Sequence, residues 1–423
     1  MTLKLCPPPR GFWTATAAAF LCIFLGLLGD SRVRADEAEA QFVEDLTGPS
    51  AVIPMKPPAS EITFEPRMVA GPFEMPWGAA FLPDGRMLVT ERPGRLRVIE
   101  NGVLQAEAVA GTPEVVTGGH SGLLDVLVDR DFPNNQRIFL SYMHGTKGAV
   151  NMRVMSARLE GNALTGQRVI FDSRPAIAGV DQIGGRLAYG PDNNLYLTLG
   201  DRFEKERAQD LMDHSGSIVR FREDGSIPED NPFVGRNDAL PEIYSYGHRN
   251  PQGLVVRDGK LWEIEHGPYG GDELNIIEPG ANYGWPLVTF GIDYNGEIIS
   301  DRTSAPGLVD PVYKWVPSVA PSSLVAYRGD VMPENWHDGF IIGTLSGERL
   351  VHLTIADGAV VREEQFLQKK IGRIRNVTVG PDGYIYLVTD GSEAAIYRLD
   401  PVTDEVAARG GLPFAPGAGR TAD

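Results

Sequence analysis

Short runs in which apolar residues alternate with polar ones, or stand in unbroken blocks, recur along the whole chain. Six of them follow directly on a turn signal: RMLVTE after Asp84-Gly85, QRIFLSY after Asn134-Asn135, NLYLTLG after Asp192-Asn193, KLWEIE after Asp258-Gly259, FIIGTL after Asp338-Gly339 and YIYLVTD after Asp382-Gly383. Asn, Asp and Gly accept the positive φ angles of tight hairpins, so each junction reads as a hairpin. The six turns are 50, 58, 66, 80 and 44 residues apart. Their mean spacing of about 60 residues suits a unit of four short strands and its connections. Nothing between them carries a long, capped pattern of period 3.6, which excludes βαβ units. A sandwich or two stacked β-domains would use the same strands, but the repeat favours an all-β six-bladed β-propeller over residues 61–402.

The ends of the chain read differently. Lys4 and Arg10 precede an apolar stretch from Phe12 to Leu28, and Val33-Arg34-Ala35 forms a small-residue cleavage site, the layout of a secretory signal peptide over 1–35. An uncleaved anchor is the alternative, although so short a stretch is marginal for spanning a bilayer. Residues 36–60 are acidic and Pro-rich, the composition of a linker, and 403–423 are Gly/Ala/Pro-rich, that of a flexible tail. The whole chain of 423 residues has 39 Lys+Arg against 56 Asp+Glu, a net charge of −17. Removal of the signal takes away Lys4, Arg10, Arg32, Arg34 and Asp30, leaving −20, and with it go both cysteines, Cys6 and Cys22. The expected mature protein is exported, periplasmic or secreted, with no disulfide, no C-x-x-C-H haem site and no stable membrane insertion. Its acidity argues against a nucleic-acid partner, since phosphate backbones are bound by cationic surfaces.

Propellers carry their chemistry on loops around one mouth of the central channel, and three loop segments stand out. GHRNPQG (Gly247 to Gly253) combines a cation and an amide with Gly/Pro-fixed backbone. EHGPYGGDELNIIEPGANYGWP (Glu265 to Pro286) is rich in residues that fix carbonyl directions, and such oxygens suit a hard cation like Ca²⁺. In GRIRN, Arg373 and Arg375 stand at i and i+2, on one side of an extended segment, a clamp for carboxylates. Together they point to an anionic ligand held beside a divalent ion.

These segments, with PWGAAFLPDGRMLVTERPGRLRVI (76–99), GLLDVLVDRDFPNNQRIFLSY (122–142), GGRLAYGPDNNLYLTLGD (184–201), NYGWP (282–286), WVPSVAPSS (315–323) and GRIRNVTVGPDGYIYLVTD (372–390), resemble the soluble quinoprotein glucose/sorbosone-type aldose dehydrogenases. The resemblance spans roughly residues 65–400 and implies a six-bladed propeller that binds pyrroloquinoline quinone (PQQ) and Ca²⁺. It implies oxidation of the C1 hydroxyl of an aldose sugar to a lactone, with electrons passed to an external acceptor. By the same resemblance Arg249 and Asn250 contact the quinone oxygens, and Arg249 also stabilises the charge of the reduced cofactor. Arg373 and Arg375 meet the carboxylates, the Gly267 and Pro268 carbonyls ligate Ca²⁺, and Trp315 flanks the ring or substrate. Asp201 orients the base, and Thr289, Gly291 and Asp293 supply a second, structural Ca²⁺.

The chain departs from the family pattern in three places. The family's catalytic histidine stands in D/N-H-x-x-G-R-L, where this sequence has Asp181-Gln182-Ile183-Gly184-Gly185-Arg186-Leu187, so Gln182 occupies the base position. The family's G-Q-x-G-L-L reads Gly119-His120-Ser121-Gly122-Leu123-Leu124, so His120 occupies the glutamine position. Either His120 serves as base while Gln182 orients the substrate, or the base is lost and the propeller binds PQQ, sugar or a protein partner without turnover. Thirdly, a lysine that helps hold PQQ in some members is replaced by Ser346, with Arg349 close in sequence. A Ca²⁺-dependent lactonase-type propeller would need converging carboxylates in place of these arginines.

Overall fold

A computed structural model describes residues 63–402 apart from Lys147. The expected signal peptide, linker and tail lie outside the described residues. Among those described, no helix is long and apolar enough to cross a membrane.

The strands in chain order are β1 (Thr63–Phe73), β2 (Pro76–Phe81), β3 (Met87–Glu91), β4 (Arg95–Glu100), β5 (Val103–Leu104), β6 (Leu123–Val128), β7 (Arg137–Thr146), β8 (Ala149–Glu160) and β9 (Ala163–Asp172). They continue as β10 (Leu187–Tyr189), β11 (Leu195–Leu199), β12 (Ser217–Phe221), β13 (Ile243–Tyr246), β14 (Pro251–Arg257), β15 (Lys260–Glu265), β16 (Asp272–Ile277) and β17 (Tyr313–Trp315). The last are β18 (Pro321–Val325), β19 (Gly339–Thr344), β20 (Leu350–Ala356), β21 (Ala359–Phe366), β22 (Ile374–Val379), β23 (Ile385–Thr389) and β24 (Ala394–Val402). They form six four-stranded antiparallel sheets: β2–β5, β6–β9, β10–β13, β14–β17, β18–β21, and β22–β24 completed by β1. We number these blades 1 to 6. The first strands of successive blades touch in a closed ring, β2 to β6, β10, β14, β18, β22 and back to β2, so the chain is a six-bladed propeller. Blade 6 is closed by β1, which runs antiparallel to β24 from Thr63↔Val402 to Phe73↔Ala394. All six sheets belong to one compact unit, which does not include the turn Asp293–Glu297.

Each of the six turn signals lies between the first and second strands of a blade or runs into the start of the second. Gly85, Asn193, Gly259 and Gly383 take φ of 89°, 66°, 72° and 79°, as hairpin turns require. Two junctions differ from the expectation. Asn134-Asn135 ends a short helical turn (Phe132–Asn135) whose left-handed residue is Gln136, φ 53°. Gly339 is extended and opens β19, and a Cβ there would stand 1.5 Å from the Leu353 carbonyl. That glycine permits close backbone approach in the sheet and forms no turn.

The blades converge on one side chain. Arg186, just ahead of β10, donates through Nη1 to Asp125 Oδ1 of β6 (3.0 Å), through Nε to the Gln252 carbonyl of β14 (2.9 Å) and through Nη2 to the Ser322 carbonyl of β18 (3.2 Å). Its guanidinium also lies 4.2 Å from the centre of the Trp77 ring of β2. The Ser322 hydroxyl donates in turn to the Ile374 carbonyl of β22 at 2.6 Å. Arg186 and Asp125 are both buried, and desolvation raises the pKa of the acid and lowers that of the base. Removing one member of such a pair strands the other charge, at a cost of about 3–5 kcal/mol. Arg186→Met is therefore expected to lower the unfolding free energy obtained from a urea titration by that amount, and adding Asp125→Asn should recover part of the loss.

Candidate functional site

The residues of interest occupy equivalent positions. They precede the first strand of a blade (His120, Gln182, Arg249, Asn250, Arg373) or follow the second (Arg92, Asp201, His266, Gly267, Asp390). Both positions lie at the same end of the inner strands in every blade, because adjacent strands run antiparallel. Loops remote in sequence thus meet around one mouth.

At its centre Gln182 is buried and held at φ 45°. A carboxylate can only accept and a guanidinium only donate, which fixes its amide: Nε2 donates to Asp201 Oδ1, and Oε1 accepts from Arg249 Nη2 at 2.6 Å. Asp201 also accepts from the Phe203 N–H (3.0 Å) and from Trp285 Nε1 (2.8 Å). Burial pushes its pKa up to about 6, with Arg249 and these donors opposing. The other Arg249 nitrogen, Nη1, donates to the carbonyls of His266 (3.0 Å) and Gly267, and the guanidinium lies 5.3 Å from the Trp285 ring centre. Asn250 accepts from the Gly184 N–H (3.2 Å) and from Gln252 Nε2 (3.1 Å), and its amide nitrogen meets His266 Nδ1 at 3.3 Å.

His120 and Gln182, the exchanged pair, touch. The Gln182 backbone N–H donates to His120 Nδ1 at 3.1 Å, and Asp181 Oδ1 lies 3.4 Å from the same nitrogen. About half of the His120 side chain, 53 %, opens to the mouth. Packing of the remainder lowers its pKa from the ordinary histidine value, and Arg375 and Arg92 reinforce that shift against the pull of Asp181.

On the other side of the mouth three guanidiniums share one carboxylate. Arg373 donates to Asp390 Oδ2 at 2.9 Å, while Arg375 makes only long contacts, 3.5 Å to Asp390 and 3.4 Å to Gln252. Arg92 donates to the Gly119 carbonyl, and its buried Nε has no partner. Burial lowers the pKa of Arg375 to about 10, with Asp390 opposing and Arg92 and Arg373 adding to the effect. Burial acts to raise the pKa of Asp390, but the three arginines hold it below the usual aspartate value. His266 Nε2 is a second buried atom without a partner, and burial with the nearby cations drives that pKa well down. Excess positive charge and orphaned polar atoms are what a polyanionic ligand would satisfy.

Gly267 admits no side chain, since a Cβ would lie 2.2 Å from the Gly270 carbonyl oxygen, and its N–H donates to Asp272 at 2.9 Å. Asp272 also accepts from Ser318, Val319 and Ala320, which ties the 267–272 loop to the start of blade 5. Gly291 packs against the same loop, where a Cβ would stand 2.3 Å from the Gly270 carbonyl oxygen and 2.8 Å from Pro268 Cγ. Thr289 Oγ1 accepts from the Gly291 N–H at 3.2 Å. Gly267 and Thr289 line one small cavity with Arg249, Glu265, Glu273 and Trp285. Asp293 closes its own turn, accepting from the Tyr294 N–H at 2.7 Å and donating to the Glu297 carbonyl at 2.8 Å.

Two expectations meet a different arrangement. Trp315 lies on β17, an outer strand, buried in the core beside Tyr313, and donates through Nε1 to Glu363 Oε2 of β21 at 3.0 Å. These contacts are those of a packed core tryptophan, not of a residue flanking a ligand. Ser346 is exposed, and Arg349 donates to Gln365 of β21 at 2.7 Å, so it does not stand in for the missing lysine. Sequence reasoning passed over Arg92, Asp390, His266 and Trp285. The signal was available for the first three: each directly follows the second strand of a blade, and Asp201 stands one residue further on in its own blade.

A family model described as Glucose / Sorbosone dehydrogenase matches residues 73–398. Aldose sugar dehydrogenase YliI of Escherichia coli is 37 % identical over 351 residues, covering 81 % of this chain and 94 % of that protein. Among solved structures, the apo-form of the soluble aldose sugar dehydrogenase of Escherichia coli superposes with a TM-score of 0.78 at 36 % identity, covering 80 % of this chain and 100 % of that one. The PQQ-bound form of aldose sugar dehydrogenase from Streptomyces coelicolor does so with a TM-score of 0.67 at 28 % identity, over 82 % and 100 %. Sequence match, blade count and loop placement agree, and the chain belongs to the glucose/sorbosone dehydrogenase family of soluble sugar dehydrogenases.

Proposed function

We propose that this protein is an exported sugar dehydrogenase that binds PQQ and Ca²⁺ at the mouth described above, oxidises the C1 hydroxyl of an aldose and passes the electrons to an external acceptor. The observation that carries this reading is the cluster of Arg92, Arg373 and Arg375 around the Asp390 carboxylate, at the mouth where Arg249 and Asn250 also stand. Bound PQQ with Ca²⁺ would supply the electron-accepting chemistry. Arg373 and Arg375 would hold its carboxylates, and Arg92 brings a further cation where Ser346 brings none. Arg249 and Asn250 would meet its quinone oxygens, and the Gly267 and Pro268 carbonyls would hold the ion. Gln182, fixed between Asp201 and Arg249, is placed to orient a substrate hydroxyl and has no basic atom with which to accept its proton.

That proton falls to His120. Its depressed pKa keeps the ring neutral at pH 7. When Nδ1 donates to Asp181, Nε2 is left as a base; when Nδ1 accepts from the Gln182 N–H, the proton sits on Nε2 and the ring can only donate there. Both partners lie close to that nitrogen, Gln182 at 3.1 Å and Asp181 at 3.4 Å, so turnover requires the tautomer in which Nδ1 donates to Asp181, and the other tautomer corresponds to binding without turnover.

The two readings separate on reconstitution of purified protein with PQQ and Ca²⁺. Bound-cofactor absorbance together with dye reduction by glucose or another aldose supports the dehydrogenase, while absorbance without turnover by any sugar supports the binding protein. His120→Ala is expected to lower kcat about 10²–10⁴-fold, the usual worth of a general base, with PQQ absorbance retained. Activity surviving in His120→Ala but lost in Gln182→Ala would remove His120 from the base role. Arg375→Gln is expected to weaken PQQ binding by about 10–100-fold, corresponding to the ~1.5–3 kcal/mol of a charged hydrogen bond. A pH titration checks Asp201: its pKa lies above the ordinary aspartate value at about 6, so the carboxylate that accepts from Trp285 is present above that pH and lost as pH falls through it. Tryptophan fluorescence should therefore inflect near pH 6 in the wild type, and the inflection should be absent from Asp201→Asn.

A further inference from the structure

The strand KLWEIE is buried on both faces from Leu261 to Glu265, yet only one face is apolar. Trp262 and Ile264 join the hydrophobic cluster shared with blade 5. Glu263 and Glu265 point the other way, as alternation requires. Opposite them on β16 stand Asn275, paired with Glu263, and Glu273, paired with Glu265. His248, from the loop between blades 3 and 4, completes the cluster with Nδ1 at 3.1 Å from Glu265 Oε1.

The donors in this cluster are too few. The Asn275 amide nitrogen contacts Glu263 (3.1 Å), Glu265 (3.3 Å) and Glu273 (3.3 Å), and its two hydrogens cannot serve three carboxylates. The Arg249 N–H takes the other Glu265 oxygen at 2.6 Å. Glu263 Oε1 and Asn275 Oδ1 are buried with no partner at all, in residues 0 % and 1 % exposed. Burying so many carboxylates together is costly unless protons or a cation neutralise them. Meanwhile one ligand atom from each of His248, Glu263 and Glu265 lies within 4.8 Å of the others. The far nitrogen of His248 is already held by Ser245 Oγ at 2.9 Å, and Tyr283 stacks on the ring at 4.6 Å. A metal-binding histidine has that arrangement: one nitrogen turned to the ion, the other fixed by an outer partner.

We propose that His248 Nδ1, Glu263 and Glu265, with the Asn275 amide oxygen turned inward, form a divalent-cation site between blades 3 and 4. It is separate from the Ca²⁺ assigned above to the Gly267 and Pro268 carbonyls. A set of one imidazole nitrogen and several oxygens suits an ion of the Mn²⁺ or Zn²⁺ kind. Of the proposed ligands, Glu265 also lines the small cavity that holds Arg249, His266 and Gly267. Because Glu265 also holds the Arg249 backbone, the ion would fix the loop that presents Arg249 and Asn250 to the mouth.

The test needs neither PQQ nor sugar, so its outcome is independent of the proposed activity. Chelator-stripped full-length protein is titrated with Mn²⁺ and bound ion is counted by electron paramagnetic resonance. The wild type is expected to bind one ion more than Glu263→Gln and to gain thermal stability from Mn²⁺ that the variant does not. Spin-echo modulation of the wild-type complex alone should show a coordinated imidazole nitrogen, which the carbonyl site cannot give; this readout stands even if Glu263→Gln fails to fold. Equal stoichiometry in the two proteins, or no nitrogen coupling in the wild type, would overturn the proposal.

Discussion

The architecture depends on one guanidinium. Arg186 reaches from the start of blade 3 to the inner strands of blades 1, 2, 4 and 5, and Ser322 passes the connection on to blade 6. Six sheets packed face to face would leave unpaired carbonyls and a buried carboxylate around the axis. A flat cation with five donors can answer several at once, where a lysine ammonium with three could not match their spread. The two residues before it, Gly184 and Gly185, have φ of 66° and 107°. At Gly184 a Cβ would stand 2.7 Å from the Thr198 carbonyl oxygen, so the backbone can drop to the axis only as glycine. Gln182 precedes this descent, and its place beside Asp201 and Arg249 therefore follows from the same segment that holds the ring together.

The site is likewise a product of the blade repeat. Antiparallel pairing sends the beginning of every first strand and the end of every second strand to one face, so a single side chain from each blade suffices to build a pocket. Arg92, His120, Gln182, Arg249 and Arg375 come from five different blades or their entries, and no two of the five are close neighbours in sequence. Rigidity at the mouth comes from below it: the Asp272 carboxylate gathers donors from two loops, and the Glu265 carboxylate holds the backbone of Arg249.

Blade number and strand order were legible because a hairpin recurs at one place in each repeat and its residues must tolerate positive φ. The two turns that differ, at Asn134-Asn135 and Gly339, show the limit of that logic. Asx-Gly marks a need for small or permissive residues, and at Gly339 the need is clearance from Leu353, not curvature. The positions of Arg249, Asn250, Arg373 and Arg375 were legible because their motifs sit in short loops beside known strands. Trp315 was not, since an aromatic residue after a loop gives no sign of which side of its strand meets the core. Nor was the shared role of Asp390, which is defined by arginines about 300 and about 15 residues away that only blade closure brings together. KLWEIE could be read as a strand, but its alternation concealed that both faces would be buried.

Blade 6 takes three strands from the end of the described chain and its fourth, β1, from the beginning. Synthesis therefore delivers the first strand of the ring long before its partner exists. Until residues 394–402 emerge, β1 has no strand to pair with, even though Trp336 and Phe366, which will flank Phe64, are already made, and the sixth blade stays incomplete. The fold thus has one of its most distant contacts as its last requirement, which favours slow, all-or-none closure. A polypeptide stopped short of β24 would carry two unsatisfied sheet edges, the natural template for association with its own kind.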